Sequence, residues 1–191
     1  MTAAQQDPAP SPDGTPDDRR SAKWHRRREQ IIDRSAEVFA ERGFHATSTT
    51  ELCEANELGK GALYHYIGSK EELLTAIIER VMGEVLAGAE RAVQEGGSPA
   101  ERLRGMGREY LDVITRYPDH VWVFLHEFPA LTGDNATTLR TRRRSFEESV
   151  EQVLADGAEA GAFAVTDPRL TARAWFGMHN YTYLWLRPGG E

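Results

Sequence analysis

The sequence contains a single cysteine, Cys53, so one chain cannot form an internal disulfide or build a zinc site from several cysteines. It also lacks any apolar run close to the roughly 18 residues that a membrane-spanning helix needs, because charged residues or glycine interrupt every candidate. Residues 1–18 have neither the basic start nor the apolar segment of a secretory signal. These absences exclude a disulfide scaffold, a membrane-spanning protein and an exported one, and they predict a cytoplasmic protein.

The net charge of −7 is unevenly distributed along the 191 residues. Residues 1–18 contain four Asp and no base, whereas residues 19–70 contain ten Lys or Arg against seven Asp or Glu. Residues 71–191 contain thirteen basic residues against nineteen acidic ones. Because binding to a polyanion depends on local rather than total charge, the basic segment is compatible with nucleic acid as a partner.

The apolar residues follow a helical period, without the alternation that is typical of strands. The apolar run at 121–128 is dense enough for a buried strand, but it has no plausible partner strand. The sequence therefore predicts an all-α fold with a disordered tail at 1–22, a head at 23–70 and a body at 71–191. The expected helices span about 24–42, 48–56, 60–67, 70–95, 99–116, 119–131, 135–160 and 167–187.

Two short helices in the head are separated by a three-residue turn at 57–59. Ser48 and Glu51 have the spacing of a capping box, in which each side chain satisfies a backbone N–H group near the other residue. A pair of short helices across such a turn is typical of a helix-turn-helix, whose second helix enters the major groove of DNA.

The outward face of the second short helix is built from small residues. At about 100° per residue, Leu63 and Ile67 point towards the first helix, while Gly61, Ala62 and His65 point away from it. Small residues permit a close approach to base edges, and tyrosine hydroxyls beside them can reach phosphates. The alternative is a compact helical head with surface tyrosines and no DNA partner.

Four segments of the head occur in order: 39–44 (FAERGF), 46–52 (ATSTTEL), 59–66 (GKGALYHY) and 69–73 (SKEEL). Together they resemble the DNA-binding head of the tetracycline-repressor (TetR) family, over about residues 24–74. The resemblance implies a homodimeric all-α repressor with a ligand-responsive body. By position it implies base contacts by Thr50, Lys60, Gly61 and Ala62, and phosphate contacts by Ser48, Tyr64, His65 and Lys70.

Two residues of the head depart from the usual pattern of the family. Glu57 stands where the turn usually has glycine, and we therefore expect Asn56 to take the left-handed conformation instead. Gly59 stands where Ser or Thr usually caps the second helix, which should weaken that cap by a few tenths of a kcal/mol.

A basic segment precedes or begins the first expected helix. Such an arm can lie along phosphates or enter a minor groove of DNA. For any single member, a solvated helix start is an equally good interpretation. The residues are Arg19, Arg20, Lys23, Arg26, Arg27 and Arg28.

The last expected helix is apolar almost all round, with a narrow gap at Arg173, Gly177 and Asn180. Such a helix must be covered on two sides, so one side is expected to face the body and the other a second subunit. The family resemblance implies a dimeric four-helix bundle here. The ending at 185–190 is similar to the boundary before the final helix in an actinobacterial-type subgroup, so we expect that this sequence lacks the final dimerisation helix.

Large apolar side chains with a few polar tips in the body suggest a ligand pocket, although plain core is an open alternative for each of them. The subgroup with the similar ending contains repressors of lipid and steroid catabolism that respond to CoA thioesters, which implies an acyl-CoA thioester as inducer. Arginines at 140 and 142–144 could pair with its phosphates. A neutral hydrophobic molecule is the alternative. The candidate pocket residues are Met106, Tyr110, Trp122, His126, Trp175, His179, Asn180 and Tyr183.

No motif for catalysis is present. His126-Glu127 has no second histidine at the spacing of a metalloprotease, and the sequence contains neither a serine-nucleophile motif nor a phosphate-binding loop. We therefore expect no catalytic residue, metal or cofactor. The sequence predicts a ligand-responsive transcriptional regulator, a repressor that an inducer releases from a palindromic operator. The alternative is a small helical ligand-binding protein or enzyme whose head does not bind DNA.

Overall fold

A computed structural model describes residues 16–186, and within them the chain is helical with no strand, which confirms the predicted all-α fold. No helix in this part of the chain is long and apolar enough to cross a membrane. The helices are α1 (Pro16–Arg42), α2 (Thr49–Asn56), α3 (Lys60–Ile67), α4 (Lys70–Gln94), α5 (Pro99–Arg116), α6 (Pro118–Glu127), α7 (Gly133–Glu159) and α8 (Pro168–Tyr181), with short 3₁₀ helices at Phe128–Ala130 and Thr182–Leu184.

Helix α1 begins earlier than the sequence suggests. The composition of residues 16–22 predicts disorder, but they form the first two turns of α1. Proline stands at the first helical position, where its missing N–H group costs nothing, and no glycine or second proline follows before Trp24. The helix therefore propagates upstream from the packed part of α1. Residues 1–15 of the expected tail lie outside the described residues.

The head consists of α1, α2 and α3 around a small apolar core. Phe39 of α1, Leu52 of α2 and Leu63 of α3 are fully buried, and Ile67 is nearly so. The periodicity predicted that Leu63 and Ile67 face inward, and the structure confirms this orientation.

Helix α4 connects the head to the body. Ser69 and Glu72 form a capping box at its start, so the helix begins directly after α3. Its buried face runs the length of the helix, from Leu73 beside the head to Ala92 beside α5. One continuous helix therefore belongs to the cores of both parts.

Two predicted helices end earlier than expected. Helix α6 stops at Glu127, because Pro129 cannot continue it, and the chain tightens into a 3₁₀ turn. Helix α8 stops at Tyr181, where the Thr182 hydroxyl donates to the His179 carbonyl and the Trp185 amide donates to the Thr182 carbonyl. Such bonds tighten the last turn of a helix into 3₁₀ geometry.

Polar contacts fix the head to α4 and α6. Asp33 of α1 accepts a hydrogen bond of 2.5 Å from Arg80 of α4, and its Oδ1 atom lies 3.2 Å from Nε2 of the buried His120 of α6. At the other end of α6, the Glu127 carboxylate accepts a hydrogen bond of 3.0 Å from the Phe44 amide of the head. Helix α6 thus contacts the head near both of its ends.

Candidate nucleic-acid interface and ligand cavity

The turn between α2 and α3 contains a non-glycine residue in the left-handed conformation. Glu57 has φ 55° and ψ 43°, so the expectation that Asn56 would take this conformation is wrong. Asn56 stays helical and buried because its side-chain amide donates to the Leu52 carbonyl at 2.8 Å and to the Ser35 hydroxyl at 3.2 Å. These bonds hold Asn56 in α2, and the reversal of the chain falls on the next residue.

The two short helices differ in their caps. The Ser48 hydroxyl accepts from the Glu51 amide, and the Glu51 carboxylate accepts from the Ser48 amide, which confirms the predicted capping box. The hydrogen bond that the carboxylate accepts from the Ser48 amide lowers the pKa of Glu51 below its usual value. Gly59 gives α3 no side-chain cap, so α3 depends more on its packing against α1 and α2.

The outward face of α3 is exposed and sterically open. Gly61, Ala62 and His65 are exposed, and nothing lies within 4 Å of the position that a Cβ atom would occupy on Gly61. Lys60 is also exposed at the start of α3. This face can approach the floor of a groove closely, because no side chain larger than a histidine ring projects from its centre.

Hydroxyl groups and cations border this face. The Tyr64 hydroxyl lies 3.3 Å from the Thr49 hydroxyl of α2, and the ammonium of Lys60 stands 5.9 Å from the Tyr64 ring. The Lys70 ammonium stands 4.4 Å from the Phe44 ring at the start of α4. Each position predicted to contact DNA is exposed or half-buried: Ser48, Thr50, Lys60, Gly61, Ala62, Tyr64, His65 and Lys70.

A cavity of about 420 Å³ lies in the body between α5, α6, α7 and α8. This volume falls within the range of small-molecule sites. Its walls combine apolar rings with charged groups. The lining residues are Tyr110, Phe124, Leu125, Arg143, Phe146, Glu147, Glu151, Ala172, Arg173, Phe176, Gly177 and Asn180.

The buried end of the cavity carries one polar pair. Tyr110 is 4% exposed, and its hydroxyl donates to Oδ1 of Asn180. Burial raises the pKa of Tyr110 far above its usual value, so the hydroxyl stays protonated and remains a donor. The Asn180 oxygen already accepts the hydrogen bond from Tyr110. The NH₂ group of the same amide is therefore available to donate to a ligand.

Two arginines and two glutamates line the cavity. The Arg143 guanidinium donates to Glu147 at 3.1 Å and stands 5.5 Å from the Phe128 ring, while Arg173 is exposed on α8. Glu151 is engaged by Arg144, at 3.1 Å. Of the arginines at 140 and 142–144, Arg143 alone lines this cavity.

The eight predicted pocket residues do not converge on one cavity. Tyr110 and Asn180 line the cavity of 420 Å³, whereas Trp175 and His179 line a separate open groove of about 540 Å³ between α5 and α8. Met106 is 1% exposed and belongs to the core. Burial lowers the pKa of His179, so its imidazole is neutral near pH 7.

The remaining three predicted pocket residues lie near the head. Trp122 and Tyr183 line a shallow recess of about 320 Å³ between α1, α6 and the C-terminal 3₁₀ turn. His126 stacks on Trp122 at 4.3 Å between ring centroids, and its Nε2 atom lies 3.4 Å from the Tyr183 hydroxyl. These three residues therefore form a cluster outside the main cavity.

Sequence reasoning did not assign Arg173 and Gly177 to the cavity, although the sequence contained a signal. The gap in the apolar pattern of α8 comprises Arg173, Gly177 and Asn180, and the structure turns this gap towards the cavity. A polar stripe on an otherwise apolar helix would have indicated the ligand-facing side.

The solvent-facing side of α8, next to this polar stripe, carries exposed apolar side chains. Leu170, Met178 and Tyr181 are 62%, 66% and 64% exposed, and Trp185 beyond the helix is 56% exposed. Exposed apolar residues that cluster in this way mark an interaction surface. We call these four residues the α8 apolar surface.

Family comparisons match both parts of the chain. Residues 31–77 match the bacterial regulatory proteins of the tetR family, and residues 96–191 match the tetracyclin repressor-like C-terminal domain. Among curated relatives, the HTH-type transcriptional repressor KstR2 of Mycobacterium tuberculosis is 26% identical over 175 residues, which cover 91% of this chain and 88% of KstR2.

Solved structures agree with these matches. PfmR, a TetR family transcriptional regulator from Thermus thermophilus, is 32% identical with a TM-score of 0.77, over 84% of this chain and 87% of PfmR. AibR, solved in complex with isovaleryl coenzyme A and operator DNA, is 30% identical with a TM-score of 0.77, over 86% of this chain and 90% of AibR. Both similarities extend over head and body.

Proposed function

The chain belongs to the TetR family of bacterial regulatory proteins, and from this premise we propose that it represses transcription as a homodimer on a palindromic operator until a ligand releases it. As a member of this family, the protein is a ligand-responsive DNA-binding regulator and not an enzyme. The observation that carries the proposal is the open face of α3, which is free of bulky side chains and bordered by cations and hydroxyls. Such a protein acts on chromosomal DNA in the cytoplasm.

On DNA, α3 lies in the major groove with Gly61 and Ala62 against the base edges. The Ala62 methyl group can contact a thymine methyl group, and Lys60 and Thr50 can donate to base acceptors. Phosphate contacts come from the borders of this face, and they position the head without reading sequence. These come from Ser48, Tyr64, His65 and Lys70.

The dimer forms through the α8 apolar surface. A two-fold axis places the same surface of each subunit against the other, so the exposed residues Leu170, Met178 and Tyr181 become buried in the pair. Two heads held by one interface present two copies of α3 at a fixed spacing, which fits an operator with two-fold symmetry.

The ligand is an acyl-CoA thioester whose acyl group enters the cavity of about 420 Å³. The complex of AibR with isovaleryl coenzyme A supports this ligand class. Phe124, Phe146 and Phe176 supply apolar walls for the acyl chain, and Arg143 and Arg173 supply cations for the phosphates. The cavity is too small for a whole acyl-CoA, so the nucleotide part must lie outside it.

Helix α6 couples the cavity to the head. Phe124 and Leu125 of α6 line the cavity, while His120 and Glu127 of the same helix contact Asp33 and Phe44 of the head. An acyl chain that displaces α6 therefore changes contacts at both of its ends. Because the ligand must favour the released state, it should bind the free dimer more tightly than the operator-bound dimer.

The proposed operator binding is tested by a gel shift on the intergenic DNA beside the protein's own gene. We expect specific binding by the wild type, and Lys70→Ala should weaken binding to every duplex and lower the salt slope by about one unit. Ala62→Gln should instead change which operator variant is preferred. If Lys70→Ala leaves both affinity and salt slope unchanged, Lys70 does not contact a phosphate.

The ligand class is tested by calorimetric titration with CoA thioesters of increasing chain length and with the matching free acids. We expect binding by a thioester, weakened about tenfold or more by Arg143→Ala or Arg173→Ala, since a charge-assisted bond contributes about 1.5–3 kcal/mol. Arg140→Ala is the matched control, because Arg140 is exposed on α7 and does not line the cavity. Binding of the free acids alone, or of neutral hydrophobic molecules alone, would contradict the thioester.

A further inference from the structure

The open groove between α5 and α8 combines an apolar lining with two arginines, and the proposed function gives it no role. Its volume of about 540 Å³ falls within the range of small-molecule sites. Leu103, Leu111 and Phe163 supply apolar walls, and the buried Trp175 supplies the floor. We call this site the α5–α8 groove.

The apolar lining of the α5–α8 groove is held in place by packing. The Phe163 ring lies directly against α7, since a Cβ atom on Gly157 would come within 2.1 Å of it. The Trp175 ring stacks on Tyr110 at 5.9 Å between centroids and lies 3.9 Å from the imidazole of His179. Burial lowers the pKa of His179, so this imidazole is neutral near pH 7 and adds no charge to the groove. The site is therefore preformed, which reduces the entropy lost when a ligand binds.

Arg104 and Arg108 supply the charge of the α5–α8 groove. They stand four residues apart on α5, a spacing at which side chains are neighbours on a helix. Both are exposed, and within residues 16–186 neither forms an ion pair or a hydrogen bond through its guanidinium group. Two adjacent cations are thus available to a ligand in the groove.

Other arginines nearby in the sequence have carboxylate partners. Arg91 pairs with Glu109 at 2.5 Å, and Arg102 pairs with Asp156 at 3.0 Å. Acidic residues outnumber basic ones in the body by nineteen to thirteen, yet no acidic side chain lines the α5–α8 groove among the described residues. The charge of the groove is therefore complementary to an anion that comes from outside the chain.

The α5–α8 groove lies on a side of α8 that neither the cavity nor the α8 apolar surface uses. At about 100° per residue, Trp175 and His179 point about 110° away from the mean direction of the α8 residues that line the cavity. They point about 130° away from the mean direction of Leu170, Met178 and Tyr181. An occupant of the groove therefore takes space from neither the acyl group nor the dimer interface.

We propose that the α5–α8 groove binds a monocarboxylate with an apolar body. The carboxylate is held by Arg104 and Arg108, because guanidinium groups match the geometry of carboxylate oxygens, and the apolar body lies on Phe163 and Trp175. A nucleotide fits less well, since its several charges and polar sugar do not match two cations beside an apolar lining. This inference goes beyond the proposed function and depends neither on a thioester in the cavity nor on operator binding.

The test is calorimetric titration of the full chain with hexanoate, heptanoate and octanoate, and with 1-octanol as the neutral analogue of octanoate. We expect octanoate to bind, with affinity rising by up to about fourfold for each added methylene group. 1-Octanol should bind about tenfold or more weakly than octanoate, because it lacks the charge-assisted bonds to arginine. No binding of octanoate, or equal binding of octanoate and 1-octanol, would overturn the inference.

The groove variant Arg104→Ala/Arg108→Ala should weaken octanoate binding about tenfold or more, and Arg104→Lys/Arg108→Lys should bind octanoate more tightly than this alanine variant. The matched control Arg140→Ala/Arg142→Ala removes the same number of charges from α7, outside the groove, and should keep the wild-type affinity. Thermal melting without ligand verifies that all variants are folded.

Two further results would assign the acid or the arginines elsewhere. If Arg143→Ala weakens octanoate binding while the groove variant does not, the acid binds in the cavity and the inference fails. If the groove variant weakens binding of free CoA but not of octanoate, the arginines hold a nucleotide and the inference fails as well. A failure of every CoA thioester to bind would contradict the proposed inducer and leave the octanoate result to decide the role of the groove.

Discussion

The turn of the helix-turn-helix stores strain that one substitution should release. Glu57 has φ 55° and ψ 43°, a conformation that costs a residue with a Cβ atom about 1–2 kcal/mol. Its exposed side chain forms no ion pair or hydrogen bond within the described part of the chain, so nothing there offsets the cost. Glu57→Gly removes the Cβ atom and with it the steric conflict.

The expected gain is smaller than the strain, because glycine makes the unfolded chain more flexible. That flexibility costs about 0.5–1 kcal/mol, which leaves a net stabilisation of about 0.5–1 kcal/mol. For a chain of this size the melting temperature should rise by about 1–4 °C. Thermal melting followed by circular dichroism at one fixed protein concentration measures the change, since a dimer melts in a concentration-dependent way.

The control is Glu57→Ala, which removes the same carboxylate but keeps the Cβ atom and therefore the strain. Glu57→Asn should fall between alanine and glycine, because asparagine tolerates the left-handed region better than other residues. We expect the order of stability to be Gly above Asn above Ala. A glycine variant no more stable than the alanine variant would refute the assignment of strain to Glu57.

Three further outcomes follow from the body. Met178→Arg should break the dimer and operator binding together, as light scattering and gel shift would show, whereas a monomer that still binds operator tightly would contradict an α8 interface. Tyr110→Phe removes the hydrogen bond to Asn180 and should cost about 1 kcal/mol in urea unfolding, since water can reach the half-buried amide; no change would mean that the bond is not formed. Burial lowers the pKa of His179 below its value of about 6.5 in the unfolded chain, so unfolding takes up a proton at acid pH. Stability should therefore decline as pH falls below about 6.5, and His179→Gln should flatten this decline; an identical decline in the variant would refute the shift.

The helices of the head could be predicted because their signals are local. Capping pairs such as Ser48 with Glu51 lie three residues apart and act within one helical turn, and the apolar period of α3 places Leu63 and Ile67 on one side whatever surrounds them. The predicted boundaries of α2 and α3 agree with the structure for this reason. Local composition predicted the start of α1 and the end of α8 less accurately, because both boundaries depend on how far the helix continues.

The conformation of the turn was decided by a contact across the head. Sequence pattern indicated a left-handed residue at the turn and suggested Asn56, a residue type that tolerates this conformation. Asn56 instead keeps its helical conformation because its side chain bonds to Ser35 of α1, 21 positions earlier in the chain. A partner that distant cannot be recognised from the local sequence.

For the ligand cavity, too, the sequence predicted some features and the tertiary structure decided others. Composition alone predicted that aromatic residues of the body would border a pocket, but it treated all of them as one set. The packing of α8 against α5 and α7 separates them, because Trp175 and Asn180 lie on different sides of that helix. By itself the sequence determined the all-α fold, the helix-turn-helix and the face that α3 presents, since each depends on residues within a few turns of one another. Only the tertiary structure decided which side chains share a cavity, because that depends on how helices far apart in the chain pack together.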